Sequence, residues 1–414
     1  MKKQFKDYIK ILETHKFQET YRHLIRLMTR LKANFPQEYL TGQLSLGYLD
    51  YTYFPFQNAY LKERQLRFGL VLNHRKLQIE LWLMGRNQQV YQRYWQFFQY
   101  STYNQNKPKP QYALLEAKLM AIDELLDEQK LLQMTVALAS DIEKQLALYV
   151  DNFMTFPLAI QSKIAFKPYS VDEIGMSKAK IIVFEDMVLK ISQDDQEARR
   201  EYEMLIWLKD HLPVPKVLAF EVQDDRCYLL MEKAKGEIVC SDELMRQPKR
   251  LTQILAASLK QMWQVDITNC PYTHTLKEHL AAATYQVENQ LYDLDNVEPE
   301  TFGENGFENP EALLEWLKVP GFEEDLVFSH GDFCLPNIFI QDGKLSSLID
   351  LGQAGIADKY QDIALCYRSL SHNFSGKYTE VSYPDFDAMA LFEALGIEPD
   401  MKKLKYYILL DELF

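Results

Sequence analysis

Cysteine is sparse: five in 414 residues (Cys227, Cys240, Cys270, Cys334 and Cys366), all in the second half, and no two at Cys-x-x-Cys spacing. An odd number without such a pair argues against a disulfide framework and a zinc site, and leaves reduced thiols as the expectation. No apolar run reaches the eighteen or more residues that a membrane span requires. The opening stretch Met1–Tyr8 is basic, yet charges interrupt it where a secretion signal needs its apolar region. A cytoplasmic protein without membrane partners is therefore expected. Repeats and low-complexity tracts are missing too, and 13% aromatic residues argue against long disordered segments.

What is present divides by charge. Residues 1–165 hold 22 basic and 15 acidic side chains, whereas the remainder holds 24 basic against 44 acidic. Two modules of opposite sign, net +7 and −20, share one chain. The acidic one should attract cationic ligands and repel nucleic acid, although an acidic surface also simply promotes solubility. The basic module could dock on its acidic neighbour. Oligomeric state is not legible.

Apolar spacing predicts two amphipathic helices within residues 4–35, ended by Pro36, then an aromatic-rich loop over 48–54 and a β-hairpin of Leu66–Leu72 with Leu77–Met84. Helix is predicted for Gln88–Phe98 and again across Leu114–Val150, so residues 1–155 read as a mostly helical α+β domain with a small hairpin. From residue 160 the pattern changes. Ile181–Phe184 and Met187–Ile191 read as strands, Glu197–His211 as a helix closed by Pro213-Val214-Pro215, and Leu218–Val222 and Cys227–Met231 as two more strands. Beyond Gly236 the reading is helical apart from short stretches at 327–332, 337–340 and 345–350. The expected class is α+β, a small mostly antiparallel lobe (160–235) before a larger helical one (236–414), the bilobal order of a protein kinase.

Phosphoryl transfer needs anchors for phosphate and Mg2+ and a carboxylate beside the accepting hydroxyl. In His330-Gly331-Asp332-x4-Asn337, the Asp-to-Asn interval is that of kinase catalytic loops, and Asp350 ends the next hairpin in Leu348-Ile349-Asp350-Leu351-Gly352. Asp332 is read as the base, Asn337 and Asp350 as metal ligands. Lys190 ends an apolar strand and Glu201 lies in the following helix, as a phosphate-binding lysine and its ion-pair partner do. His330 reads as structural under the loop, because Asp332 already supplies the base, and Cys334 lacks a histidine partner that would make it a nucleophile.

From about Gly175 to Phe414 the chain resembles the aminoglycoside 3'-phosphotransferases, which share the protein kinase fold. Gly175-Met176-Ser177-Lys178-Ala179-Lys180 is similar to that family's nucleotide loop, with Ser177 near the β-phosphate. The resemblance implies that Met231, Glu232 and Ala234 lie where hinge backbone groups bind adenine. It further implies ATP and Mg2+ as cofactors and a cationic aminoglycoside as substrate. Asp293, Asp295, Glu298, Glu300 and Glu304 fall at the family's substrate loop. Arg368 lines the substrate side, and Asp411, Glu412 and Phe414 with its carboxylate match the terminus that holds ammonium groups. Departures are Val188 for an adenine-stacking aromatic, Gln353 for a frequent arginine, and His372-Asn373 where acids can stand. Two alternatives stay open: another amino sugar or alcohol as acceptor, or a kinase-like binding module without catalysis. Gly47–Phe98 resembles a small bacterial family of unknown function.

Overall fold

The architecture comes from a computed structural model that describes residues 6, 10, 15–105, 107–122, 127–172, 179–292, 297–298, 300–303, 306–377, 381–383 and 386–414. These form two units, Met1–Lys167 and Pro168–Phe414.

In the first unit, helix α1 (His15–Ala33) follows the predicted amphipathic spacing, while most of the earlier predicted helix lies outside the described residues. The small hairpin proves to be the centre of a five-stranded antiparallel sheet: β1 (Leu40–Thr41), β2 (Tyr51–Gln57), β3 (Leu66–Asn73), β4 (Gln78–Gly85) and β5 (Leu115–Ala121), paired in sequence order. Two expectations are corrected here. The aromatic stretch predicted as a loop is largely strand β2, in which Thr52, Phe54 and Phe56 turn inward and the intervening residues stay half-buried. Phe54 and Phe56 meet Phe35 at ring-centroid distances of 5.5 and 4.5 Å, so aromatic burial drives the strand onto the core. The continuous helix predicted over Leu114–Val150 is strand β5 followed by helix, because Leu115 to Ala121 pair with β4 from Leu83 to Gln78. Helices α2 (Ala59–Glu63), α3 (Gln88–Phe98), α4 (Glu128–Gln145), which runs on into a π-helical stretch (Leu146–Asp151), and α5 (Leu158–Ile164) belong to the same unit. The Asn58, Asn87 and Asp127 side chains cap the first three of these, each worth about 1 kcal/mol.

The second unit opens with a five-stranded sheet in the order β6-β7-β8-β10-β9, made of β6 (Tyr169–Asp172), β7 (Lys180–Phe184), β8 (Met187–Gln193), β9 (Val217–Gln223) and β10 (Arg226–Glu232). The four predicted strands are there, joined by β6. Helix α6 (Gln196–Leu208), capped by Asp195, crosses between β8 and β9. Alternation along β8 buries Met187, Leu189 and Ile191 and turns Val188 and Lys190 to the other face.

The larger lobe is built on α7 (Asp242–Met245), α8 (Pro248–Met262), α9 (Leu276–Glu288), α10 (Pro310–Leu317), α11 (Lys359–Ser375), α12 (Ala390–Leu395) and α13 (Met401–Asp411). Leu255, Leu259, Phe328, Phe333, Ile363, Leu370 and Tyr406 belong to a continuous buried core that also takes in Met204 and Leu208 of α6. Burial on this scale, at about 25 cal/mol per Å2 of apolar surface, dominates the unit's stability. Two small ribbons ride on it. β11 (Glu237–Ile238), β13 (Ile338–Gln341) and β14 (Lys344–Leu348) form one, and β12 (Leu326–Ser329) with β15 (Gly355–Asp358) the other. Their connecting loops carry the polar residues singled out above.

Candidate active site

The loop after β12 depends on one glycine. Gly331 has φ +82°, and a Cβ there would lie 2.0 Å from the carbonyl oxygen of Gln353, so only glycine brings the chain this close to the loop after β14. On either side, main-chain groups are tied down from below. The buried carboxylate of Asp362, on α11, accepts the backbone N–H of His330 at 2.9 Å and of Gly331 at 3.1 Å. Burial pushes its pKa up to about 7 against the opposing effect of these bonds and of Ser329. Gln361, beside it, donates to the Gly331 carbonyl at 3.3 Å.

His330 is fully buried, with Nε2 3.0 Å from the carbonyl of Ile349 and Nδ1 accepting the backbone N–H of Asp332 at 3.3 Å. A carbonyl only accepts, so Nε2 carries the proton and the ring is neutral; burial, opposed by Asp332, holds its pKa down. The imidazole thus pins the loop of Asp332 to the loop of Asp350.

Asp332 has its Oδ2 2.9 Å from Nδ2 of Asn337, which also donates to the Asp332 carbonyl at 3.1 Å. With that amide spent as donor, Oδ1 of Asn337 is the group left for a metal. Burial, with Asp411 and Asp350 adding to it, raises the Asp332 pKa above the ordinary carboxylate range, although Cys334 and His330 oppose the shift. The Cys334 thiol is itself pushed well up by burial and Asp332, so it stays protonated at neutral pH.

Across the lobes, Lys190 Nζ lies 2.8 Å from Glu201 and 2.6 Å from Asp350. Burial works against its charge, but the two carboxylates outweigh that and hold the ammonium form. Asp350 adopts φ +62° at the mouth of its loop, and its side chain is 41% exposed, against 5% for Glu201. Lys190 therefore has a buried partner that orients it and an open one that a ligand can share.

The hinge residues follow the register of β10, where Met231 opposes Val188 and Glu232 opposes Met187. The N–H groups of Glu232 and Lys233 are taken by Lys216 and Asp186. That of Ala234 finds no backbone acceptor among the described residues.

Of the acidic residues expected on the substrate side, Glu298, Asp411 and Glu412 are already paired. Arg368 bonds Asp411 and, at 3.2 Å, Glu412. Glu298 lies 2.6 Å from His372 and 2.8 Å from Lys377, and its N–H donates to Glu412 at 2.7 Å. Glu300 is exposed, and Phe414 is half-exposed with its ring 6.2 Å from His279. Ser177, Asp293, Asp295 and Glu304 lie outside the described residues.

Two carboxylates were not singled out from sequence. Asp362 stands 32 and 31 residues from the amides it holds, and its neighbours Ile363-Ala364 mark only a helix. Glu197 packs against Gly352, whose Cβ would come within 2.6 Å of the Glu197 Cγ, and burial followed by the charge of Asp350 raises its pKa. Its place one turn before Glu201 on α6 was the available signal.

Residues 1–151 match a domain of unknown function (DUF7000) and residues 177–399 the phosphotransferase enzyme family. An aminoglycoside 3'-phosphotransferase of Enterococcus faecalis is 41% identical over 256 residues, spanning 59% of this chain and 92% of the relative. Another, of Staphylococcus aureus, is 40% identical over 255 residues with the same shares covered. Among solved structures, an aminoglycoside-3'-phosphotransferase of type VIII matches with a TM-score of 0.51 and 25% identity, over 60% of this chain and 94% of that one. The fold is also that of an aminoglycoside phosphotransferase from Streptomyces rimosus in complex with ADP and streptomycin (TM-score 0.52, 21% identity, 64% and 98% covered). Through its second unit the chain belongs to the phosphotransferase enzyme family and, within it, to the aminoglycoside 3'-phosphotransferases.

Proposed function

We propose that the second unit transfers the γ-phosphoryl group of ATP to the 3'-hydroxyl of a kanamycin- or neomycin-class aminoglycoside, in the cytoplasm where ATP is supplied, and so confers resistance. The observation that carries this reading is the convergence of Asp332, Asn337 and Asp350 on one side with Lys190 and Glu201 on the other.

Asp332 receives the acceptor hydroxyl's proton as the oxygen attacks phosphorus. Its raised pKa brings it nearer the operating pH and strengthens it as a base. Lys190, oriented by Glu201, binds the α- and β-phosphates, and the Ala234 N–H supports adenine. The oxygen donors of Asn337 and Asp350 suit Mg2+, which takes few protein ligands and completes its shell with phosphate and water. Bound there, Mg2+ would neutralise phosphate charge. Substrate ammonium groups meet Glu300, the acids of 293–304, and Asp411 and Glu412 held in place by Arg368; a ligand with no apolar face is recognised through such groups.

Asp332→Asn tests the assignment. It should leave ATP affinity intact and lower kcat on kanamycin by at least about 10²-fold; wild-type turnover in that variant would sink the proposal.

A further inference from the structure

Helix α11 ends in a cap that fixes one lysine. Gly376 takes φ +81°, in the left-handed region, and the N–H of Lys377 donates to the carbonyl of His372. That bond closes a Schellman turn, so the helix end sets the backbone of Lys377. From there its Nζ reaches Oε1 of Glu298 at 2.8 Å. His372, in the last turn, meets the same oxygen through Nε2 at 2.6 Å. Burial, which Glu298 opposes, lowers the His372 pKa, so the imidazole is largely uncharged at pH 7 and Lys377 supplies the cation.

The contacts of Glu298 place this pair on the acceptor side of Asp332. Its N–H donates to Glu412 at 2.7 Å, Arg368 bonds both Glu412 and Asp411, and the charge of Asp411 reaches Asp332. Asp411, Glu412 and Glu298 are thus joined in one run beside the catalytic base, each facing a cation of the chain itself. The two cations differ. Arg368 is mostly buried and spans two carboxylates, which makes it a fixed part of the structure. Lys377 is 38% exposed and engages one carboxylate among the described residues. A partly exposed pair on a long, flexible side chain is weak and exchanges readily. The group it presents is a primary ammonium, chemically the same as those of an aminoglycoside.

We propose that Lys377 is a specificity-determining residue, an internal ammonium that occupies Glu298 until an ammonium group of the substrate displaces it. The inference rests on the aminoglycoside reading above and adds a residue to it. Exchanging one ammonium for another on the same carboxylate gains almost no binding free energy, so Glu298 adds little to affinity while Lys377 is present. A lone amine gains nothing there. A sugar anchored through its other amino groups displaces Lys377, because its effective concentration at Glu298 is high.

Lys377→Gln removes the charge and keeps the reach, whereas Lys377→Arg keeps the charge. In Lys377→Gln the KM for kanamycin should fall roughly three- to fivefold, with kcat and the KM for ATP within about twofold; in Lys377→Arg it should not fall. A double-mutant cycle separates occupancy from general electrostatics: in a Glu298→Gln background, Lys377→Gln should leave the KM for kanamycin unchanged. An unchanged or raised KM in Lys377→Gln overturns the proposal, as does an equal fall in the Glu298→Gln background, which simple loss of a positive charge would give. Calorimetric titration of kanamycin into the protein without ATP reads the same exchange as binding, and the Kd should drop by the same factor. If wild-type protein fails to phosphorylate kanamycin, the function reading falls by itself. The titration still decides the role of Lys377: tighter binding by Lys377→Gln supports it, and binding that is no tighter refutes it.

Discussion

Replacing Gly331 by alanine tests how the catalytic loop is held. The residue sits at φ +82°, a conformation costing a Cβ-bearing residue about 1–2 kcal/mol. The new methyl would also stand 2.0 Å from the Gln353 carbonyl oxygen, more than about 1 Å inside contact distance. Both obstacles are main chain, so no rotamer relieves them; the loop after β12 or the one after β14 must move. Either movement disturbs the bonds from Asp362 to His330 and Gly331 and changes the distance from Asp332 to the acceptor. A displacement near 1 Å costs on the order of 10²-fold in rate, whereas global stability should fall by only a few kcal/mol, roughly 5–10 °C in Tm. Steady-state kinetics, calorimetry and a nucleotide-binding titration separate these effects. The expected result is kcat down about 10²-fold with ATP affinity within about threefold and a cooperative unfolding transition. Wild-type kcat in a folded Gly331→Ala enzyme would refute the reasoning that this glycine sets the position of Asp332.

Glu201→Gln removes the buried partner of Lys190 and leaves the lysine to Asp350 alone. The KM for ATP should rise roughly tenfold and kcat/KM fall by about 10²-fold, measured at saturating kanamycin; an unchanged KM for ATP would show that the pair does not orient the lysine. The pH profile follows from Asp332, which must be ionised to accept a proton. Because burial raises its pKa, kcat/KM should decline as pH falls through a value above the ordinary aspartate pKa of about 4, and an acid limb at or below that value would contradict the assignment. Residues 168–414 contain Lys190, Glu201, Asp332, Asn337 and Asp350 and enclose the stretch 177–399 that matches the phosphotransferase family. That fragment, purified alone, should retain kcat within about threefold of the whole chain; loss of turnover in a folded fragment would show that the first unit takes part in catalysis.

The chemistry was more legible than parts of the fold. Asp332, Asn337 and Asp350 stand out by spacing, because the loop after β12 and the hairpin that follows it are local structures, and the fold then brings Asp332 to Asn337 and Asp350 to Lys190. Lys190 and Glu201 were readable from their order on a strand and the next helix. Asp362 and Glu197 were not, since their importance lies in which backbone groups and charges fold against them, and no local pattern records that. The pairing of Glu298 with His372 and Lys377 was equally hidden. In the first unit, Leu115–Ala121 consists of good helix formers and becomes a strand only because β4 presents an edge to it. Proline and hydroxyl-bearing aromatics disguised β2 as a loop, although Phe54 and Phe56 alternate as a half-buried strand should.

The central claim is transfer of phosphate from ATP to one hydroxyl of a polycationic sugar, and the most direct measurement is the product itself. Purified protein incubated with ATP, Mg2+ and kanamycin should yield ADP and an equal amount of singly phosphorylated kanamycin, whose phosphorus couples in NMR to the proton on the 3' carbon. ADP formation that does not depend on kanamycin, or a phosphate found at another position, would contradict the account.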